Sequence, residues 1–281
     1  MFENNIGAKL SIDEIAISNG ELYTIVTNKA GHGGKGTLVA IIAGTKASEV
    51  TTVLLKIPTE LRQTVKEVTL DMSHAMDAII TASFPQAIIV TDRFHVAQLV
   101  SDAVQEIRIS ARRSALKEEN LAILTAKKEK TDYKPMLYEN GDTKKQLLAR
   151  GHFLLFKTEK NWSEKQMDRA AILFREFPDI AHAYHLSMHF RGWYENKTTK
   201  EIARDKLQDW YRKVEEEQIE SFLVAAQSIY LHEDTILNYF NERSTNASAE
   251  SFNAKLKGFR ALVRGVRDIK FFLFRVAKRY G

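Results

Sequence analysis

Asp13 lies in the apolar segment KLSIDEIAIS, Asp71 ends VKEVTLDMS, and Glu250 opens the amphipathic stretch ASAESFNAKLK. Carboxylates on two β-like runs, with a third on a late helix, suit a divalent-metal site. Hard cations such as Mg²⁺ prefer carboxylate oxygens, and a pair of ions can stabilise both the attacking and the leaving oxygen of an in-line displacement at phosphorus. The chemistry this pattern points to is phosphodiester cleavage. Asp92, in TDRFH, also ends an apolar run. On residue type alone the second position is therefore open between Asp71 and Asp92.

The surroundings of Glu250 agree with that chemistry. At about 100° per residue, Glu250, Asn253 and Lys257 share one helix face, and Phe252, Leu256 and Phe259 share the opposite one. Core contact and polar surface are thus separated. Ser244, Thr245, Asn246 and Ser248 supply capping residue types just upstream. From Ser251 to Gly281 there are nine cations and one acid, Asp268, within a chain of net charge +5. A basic stripe beside a carboxylate site is what a polyanionic substrate would need, although a solvated helix face accounts for it equally well.

The elements that must position these residues change character along the chain. LSIDEIAIS, ELYTIVTNK and GTLVAIIAG read as three successive strands, rich in β-branched residues and separated by Gly-containing turn signals. A helix over SEVTTVLLKIPTELRQTV, interrupted at Pro58, follows. VKEVTLDMS and QAIIVTD read as strands on either side of a helix over HAMDAIITASF. The order β-β-β-α-β-α-β implies an antiparallel meander continued by crossover units. Beyond Phe94 long stretches at helical spacing take over, among them one running from Asp205 to Phe240. The resulting division is a core over residues 1–100, a helical insertion over 101–244, and a return to the core over 245–281.

Other features exclude or distract. With no cysteine the chain has no disulfide, zinc ribbon or thiol nucleophile. No run approaches the roughly 20 apolar residues that span a bilayer, and no signal-peptide core is present, so a bacterial cytosolic protein is expected. GHGGKGT at 31–37 lacks the Ser or Thr of a phosphate-binding loop and leads into a strand, so it reads as a connecting loop. His182, His185 and His189 share a helical face but have no acid among them and read as packing. Trp162, Trp193 and Trp210 read as core residues in preference to base-stacking platforms.

With these segments in place, the chain resembles the bacterial insertion-sequence transposases with an RNase-H-like DDE catalytic domain, in the family typified by a Lactobacillus element. The matching strings are SIDE at Asp13, VTLDMSHAM at Asp71, FPQAIIVTDRFHV around Asp92 and His95, LLARGHFLLFK at 147–157, and RSTNASAESFNAKLKGFRALVRGVRD around Glu250. The resemblance implies a five-stranded mixed sheet with flanking helices and a large all-α insertion. It also implies two Mg²⁺ ions, replaceable by Mn²⁺, held by Asp13, Asp71 and Glu250. Asp92 and His95 match a motif that follows the second acid in related families, which favours Asp71 as the ligand and a supporting role for Asp92, His95 and Asn253. Lys255, Lys257, Arg260, Arg264 and Arg267 would hold the DNA backbone. The implied activity is cleavage at element ends and strand transfer into target DNA by a homodimer. Rival readings are a nuclease of the same fold and a DNA-binding remnant that no longer cuts. Family members typically carry an N-terminal zinc-binding and helix-turn-helix region. Its absence here implies a fragment or a separate end-binding polypeptide.

Overall fold

The computed structural model describes residues 1–281 except Asn19, Arg264, Val266, Arg267 and the side chain of Ser18. In chain order the elements are β1 (Lys9–Ser18), β2 (Glu21–Asn28), β3 (Leu38–Ala43), α1 (Ala47–Leu54), α2 (Thr59–Arg62), β4 (Glu67–Leu70), α3 (His74–Ser83) and β5 (Ile88–Thr91). They continue as α4 (Arg93–Glu129), α5 (Lys144–Leu154), α6 (Glu164–Glu176), α7 (Pro178–Glu195), α8 (Lys200–Glu217) and α9 (Glu220–Leu231). The last four are α10 (Glu233–Leu237), α11 (Tyr239–Glu242), α12 (Ala247–Leu262) and α13 (Ile269–Tyr280). The chain forms two compact units, residues 1–96 with 232–281 and residues 97–231.

The first unit is built on a mixed sheet of order β3-β2-β1-β4-β5. β1 pairs antiparallel with β2 and β2 with β3, while β1–β4 and β4–β5 are parallel. This is an RNase-H-like arrangement of five strands with flanking helices, and period-2 alternation explains its two cores. Leu10 and Ile12 of β1 turn to one face, with Val68 and Leu70 of β4, against Val50 and Leu54 of α1 and Ile79 and Ile80 of α3. Ile15 of β1 and Ile25 of β2 turn to the other, against Phe252 and Leu256 of α12 and Phe272 and Val276 of α13. Asp13, in step with Ile15, belongs to the α12 face. Glu14 alternates away from it and is exposed. Pro58 stands between α1 and α2, so the interruption expected there is real.

The second unit is helical, and its tryptophans are structural. Trp162, Trp193 and Trp210 donate their indole N–H groups to the carbonyls of Leu154, Ala203 and Leu186 at 2.9, 2.8 and 3.1 Å. Trp193 and Trp210 are buried. The segment after Asp205 is not one helix. It breaks at Gln218, whose φ is 52°, at His232 and at Asn238 before the chain reaches α12. A left-handed glutamine carries no Gly or Pro signal, which is why periodicity alone runs through it.

Asp142, wholly buried, is the electrostatic anchor of this unit. Arg150 and Arg169 both pair with it, the latter at 2.8 Å. Removing one partner of a buried pair leaves charge uncompensated. Asp142→Ala is therefore expected to destabilise this unit by about 3 kcal/mol, read as a lowered denaturation midpoint for a tryptophan-fluorescence probe.

Candidate active site

The ends of the central strands and the start of α12 bring the acidic residues into one neighbourhood. Asp13 sits on β1, Asp71 one residue past β4, and Asp92 one residue past β5. Parallel strands end at one edge of the sheet, so their C-terminal residues come together there. The backbone N–H of Asp92 donates to the carbonyl of Leu70 at 2.7 Å, which holds the two strand ends in step. Asn253 of α12 donates to Asp13 Oδ2 at 2.5 Å, tying that helix to the first strand. Glu250 lies one helical turn before Asn253 and is exposed. Its N-terminal position on α12 suits a carboxylate.

Asp71 and Asp92 occupy different environments. The Asp71 side chain is 36 % exposed and that of Asp92 only 2 %. Both Asp92 oxygens are occupied: Oδ1 accepts the backbone N–H of Asn246 at 3.2 Å, and Oδ2 lies 3.2 Å from His95 Nδ1. His95 Nδ1 also lies 2.7 Å from Asp71 Oδ1. That oxygen is buried and has no hydrogen bond of good geometry, so the contact is an ion pair. Contact with Asp71, then Asp92, pushes the His95 imidazole up to about 10. The ring is thus an imidazolium at neutral pH.

Charge accumulates around Asp13. Burial first, then repulsion from Asp71, raises its carboxyl to about 6. Burial and the Asp92 charge also raise Glu250. These are the responses of carboxylates lacking enough positive charge. Together with the buried Asp71 Oδ1, which has an ion pair but no hydrogen bond, and the buried, unpartnered Asn253 Oδ1, they mark an oxygen-rich site that a hard divalent cation fits. Asp71, Asp92 and His95 bring one side-chain oxygen or nitrogen each within 4.8 Å of the others, with the imidazolium as the positive member of the group.

The basic residues expected on DNA separate. Lys255 reaches back to the carbonyl of Gly33 at 2.9 Å, and Arg260 lies over the Phe272 ring at 5.1 Å. Lys257 is exposed, with Arg260 beside a small cavity of ≈ 120 Å³. Arg264 and Arg267 lie outside the described residues. A larger open cavity of ≈ 450 Å³ is lined by Gly33, Gly34, Lys35, Lys255 and Arg279. Lys35 and Arg279 carry no individual signal, because local spacing does not show that the 31–37 loop meets α12 and α13. That loop is pinned by Gly36 N–H to the Tyr280 carbonyl at 3.1 Å. Gly33, at φ +71°, holds a left-handed backbone that strains any L side chain, and a Cβ there would also push aside Lys255 Nζ. Around Glu250, Asn246 is the residue before α12, but its side chain makes no capping bond. Its backbone N–H is used by Asp92 instead.

His182, His185 and His189 do not converge on an ion. His182 pairs with Glu217 at 2.7 Å, and His189 faces Lys213 at 3.4 Å. Among the described residues no helix is long and apolar enough to cross a membrane.

A family model for ISL3-type DDE proteins, described as Transposase, matches residues 10–276. The chain is also 23% identical over 272 residues to a Bordetella parapertussis protein named as the transposase for insertion sequence element IS1001. That match covers 95% of this chain and 59% of the relative, so the chain spans about three fifths of the relative's length. No solved structure matches it.

Proposed function

Because the chain belongs to the ISL3-type DDE transposase family, we propose that it cuts DNA at the ends of an insertion sequence and joins the freed 3′ end to target DNA. The observation that carries this reading is the link from Asn253 of α12 to Asp13 at 2.5 Å, which ties the helix bearing Glu250 to the strand end where Asp13 feels the charge of Asp71. Asp13, Asp71 and Glu250 would hold the divalent ions, Mg²⁺ or Mn²⁺. When bound, a pair of such ions supplies an activated hydroxyl nucleophile and charge stabilisation for the leaving oxygen.

The protein's own residues do the rest. The partly exposed carboxylate of Asp71 supports its role as second acid, and the buried one of Asp92 supports a positioning role. Asp92 holds the Asn246 amide at the start of α12 and one side of the His95 ring. His95, as an imidazolium, offsets the negative charge of Asp71 and Asp92 and could orient a non-bridging phosphate oxygen. Asn253 fixes the Asp13 rotamer. Lys35, Lys255 and Arg279 around the larger cavity, with Lys257 on α12, would grip phosphates beside the reacting strand, which positions the duplex without reading its sequence. A copy at each element end makes a homodimer on DNA the expected assembly.

The test is a Mn²⁺-dependent assay on supercoiled DNA carrying the element's own ends. Nicking followed by joining of a 3′ end to a second DNA is expected. Nicking without joining would make the protein a nuclease of this fold. Tight DNA binding without nicking at any metal concentration would overturn the catalytic reading in favour of a binding protein.

A further inference from the structure

A second group of metal-ligating side chains lies within the first unit and shares no residue with the carboxylate site. His74 opens α3, Asp77 follows one turn later on the same face, and His232 immediately precedes α10. We propose that His74, Asp77 and His232 form a separate site for a first-row transition ion, Zn²⁺ being the natural occupant.

Each residue offers one ligand atom, and these atoms lie within 4.8 Å of one another. The two imidazole rings stack at 4.6 Å with planes 28° apart. His232 Nδ1 is 3.6 Å from Asp77 Oδ2, too far for a hydrogen bond. Asp77 Oδ1 is buried and has no hydrogen-bond partner at all. A buried carboxylate oxygen left unsatisfied beside two imidazoles calls for a cation, and an ion among them would satisfy it. Burial also lowers His232, which keeps its ring neutral and its lone pair available.

The donor set selects the metal. Imidazole nitrogen suits zinc, cobalt and nickel, whereas magnesium takes oxygen ligands and keeps its waters. Three protein ligands leave a fourth tetrahedral position for water. The scaffold holds these residues together without an ion. Thr235 and Asn238, in and just after α10, bond to the Thr91 hydroxyl and the Ile89 carbonyl of β5 at 2.7 and 2.8 Å. The bound ion would staple α3, which begins three residues after Asp71, to the segment that leads into α12. Its effect would be to stiffen the segment that follows Asp71 and the one that precedes α12, on which Glu250 lies.

The experiment titrates Co²⁺ into the full chain with Mg²⁺ saturating the carboxylate site, following visible absorption and the melting midpoint. One equivalent of Co²⁺ should give an intense four-coordinate band, bleached by Zn²⁺, and raise the midpoint. Both effects should vanish in Asp77→Asn and in His74→Ala, and persist in Asp71→Asn. His74 is exposed, so its alanine variant keeps the fold, which circular dichroism verifies. Absence of the band in the parent overturns the proposal. So does a band that survives both ligand variants, which would put the ion on other histidines such as His182, His185 and His189.

Discussion

Asp71→Asn is expected to abolish metal-dependent DNA cleavage, with a loss of about 10²–10³-fold or more, the scale set by deleting one preorganised electrostatic contact. The fold should survive, because the Asp71 side chain is partly exposed and its amide replacement is isosteric. Asp92→Asn is expected to behave in the opposite way. Its carboxylate is 2 % exposed and engages both the His95 ring and the Asn246 amide, so the variant weakens one bond and removes a buried charge facing an imidazolium. A stability cost of about 1–3 kcal/mol should follow, with cleavage reduced about 10–100-fold through misplacement of α12 and His95. Nicking rate and melting midpoint, measured on both variants, decide the matter. If Asp92→Asn stops cleavage and Asp71→Asn does not, Asp92 is the second acid and the role given to Asp71 is wrong.

Metal binding should depend steeply on pH through Asp13. Its carboxyl is raised to about 6 by burial and by Asp71, so between the unfolded value near 3.8 and about 6 the folded protein holds the extra proton. On this group's account the metal-free protein loses stability as pH rises through that window, and the loss is complete above about 6. A cation binds only the carboxylate form and must expel that proton at lower pH. Apparent Mn²⁺ affinity should therefore fall about tenfold per pH unit below 6 and level off above it. The Mn²⁺-induced rise in melting midpoint should be clearly larger at pH 8 than at pH 5, and smaller still at pH 4. His95 does not mask this trend. Raised to about 10, it stays charged across the whole range, and its own stabilisation, complete below about 6.5, is lost progressively from there to about 10. An Mn²⁺ response equal at pH 5 and pH 8 would show that Asp13 is not a ligand.

Much of this architecture is legible locally. Runs rich in β-branched residues between turn signals mark all five strands, and in β1 the alternation of Leu10 and Ile12 with Asp13 and Ile15 already states which face each residue takes. That alternation puts Asp13 opposite Glu14 before any coordinate is known. Spacing of 3.6 residues separates Phe252 and Leu256, which are buried, from Glu250 and Lys257, which are exposed. Asn253 departs from the pattern. It reads as part of the polar face, yet it is 9 % exposed because its amide is drawn onto Asp13. The helix breaks at Gln218, His232 and Asn238 were not legible, since none uses a residue that disfavours helix strongly enough to override the apolar period.

The sequence by itself determined the order of strands and helices in the sheet-forming half, the three acids on or just after strands and at a helix start, and the family they belong to. Each of these depends on neighbours a few residues apart, where side-chain period and backbone preference act directly. Only the tertiary structure decided which of two similar aspartates is buried, because the burial of Asp92 depends on Asn246, 154 residues away. It alone brought Lys35 to Arg279 and His74 to His232. Such meetings are fixed by how helices pack on the two faces of the sheet, and nothing in local spacing records which distant residues that packing will join.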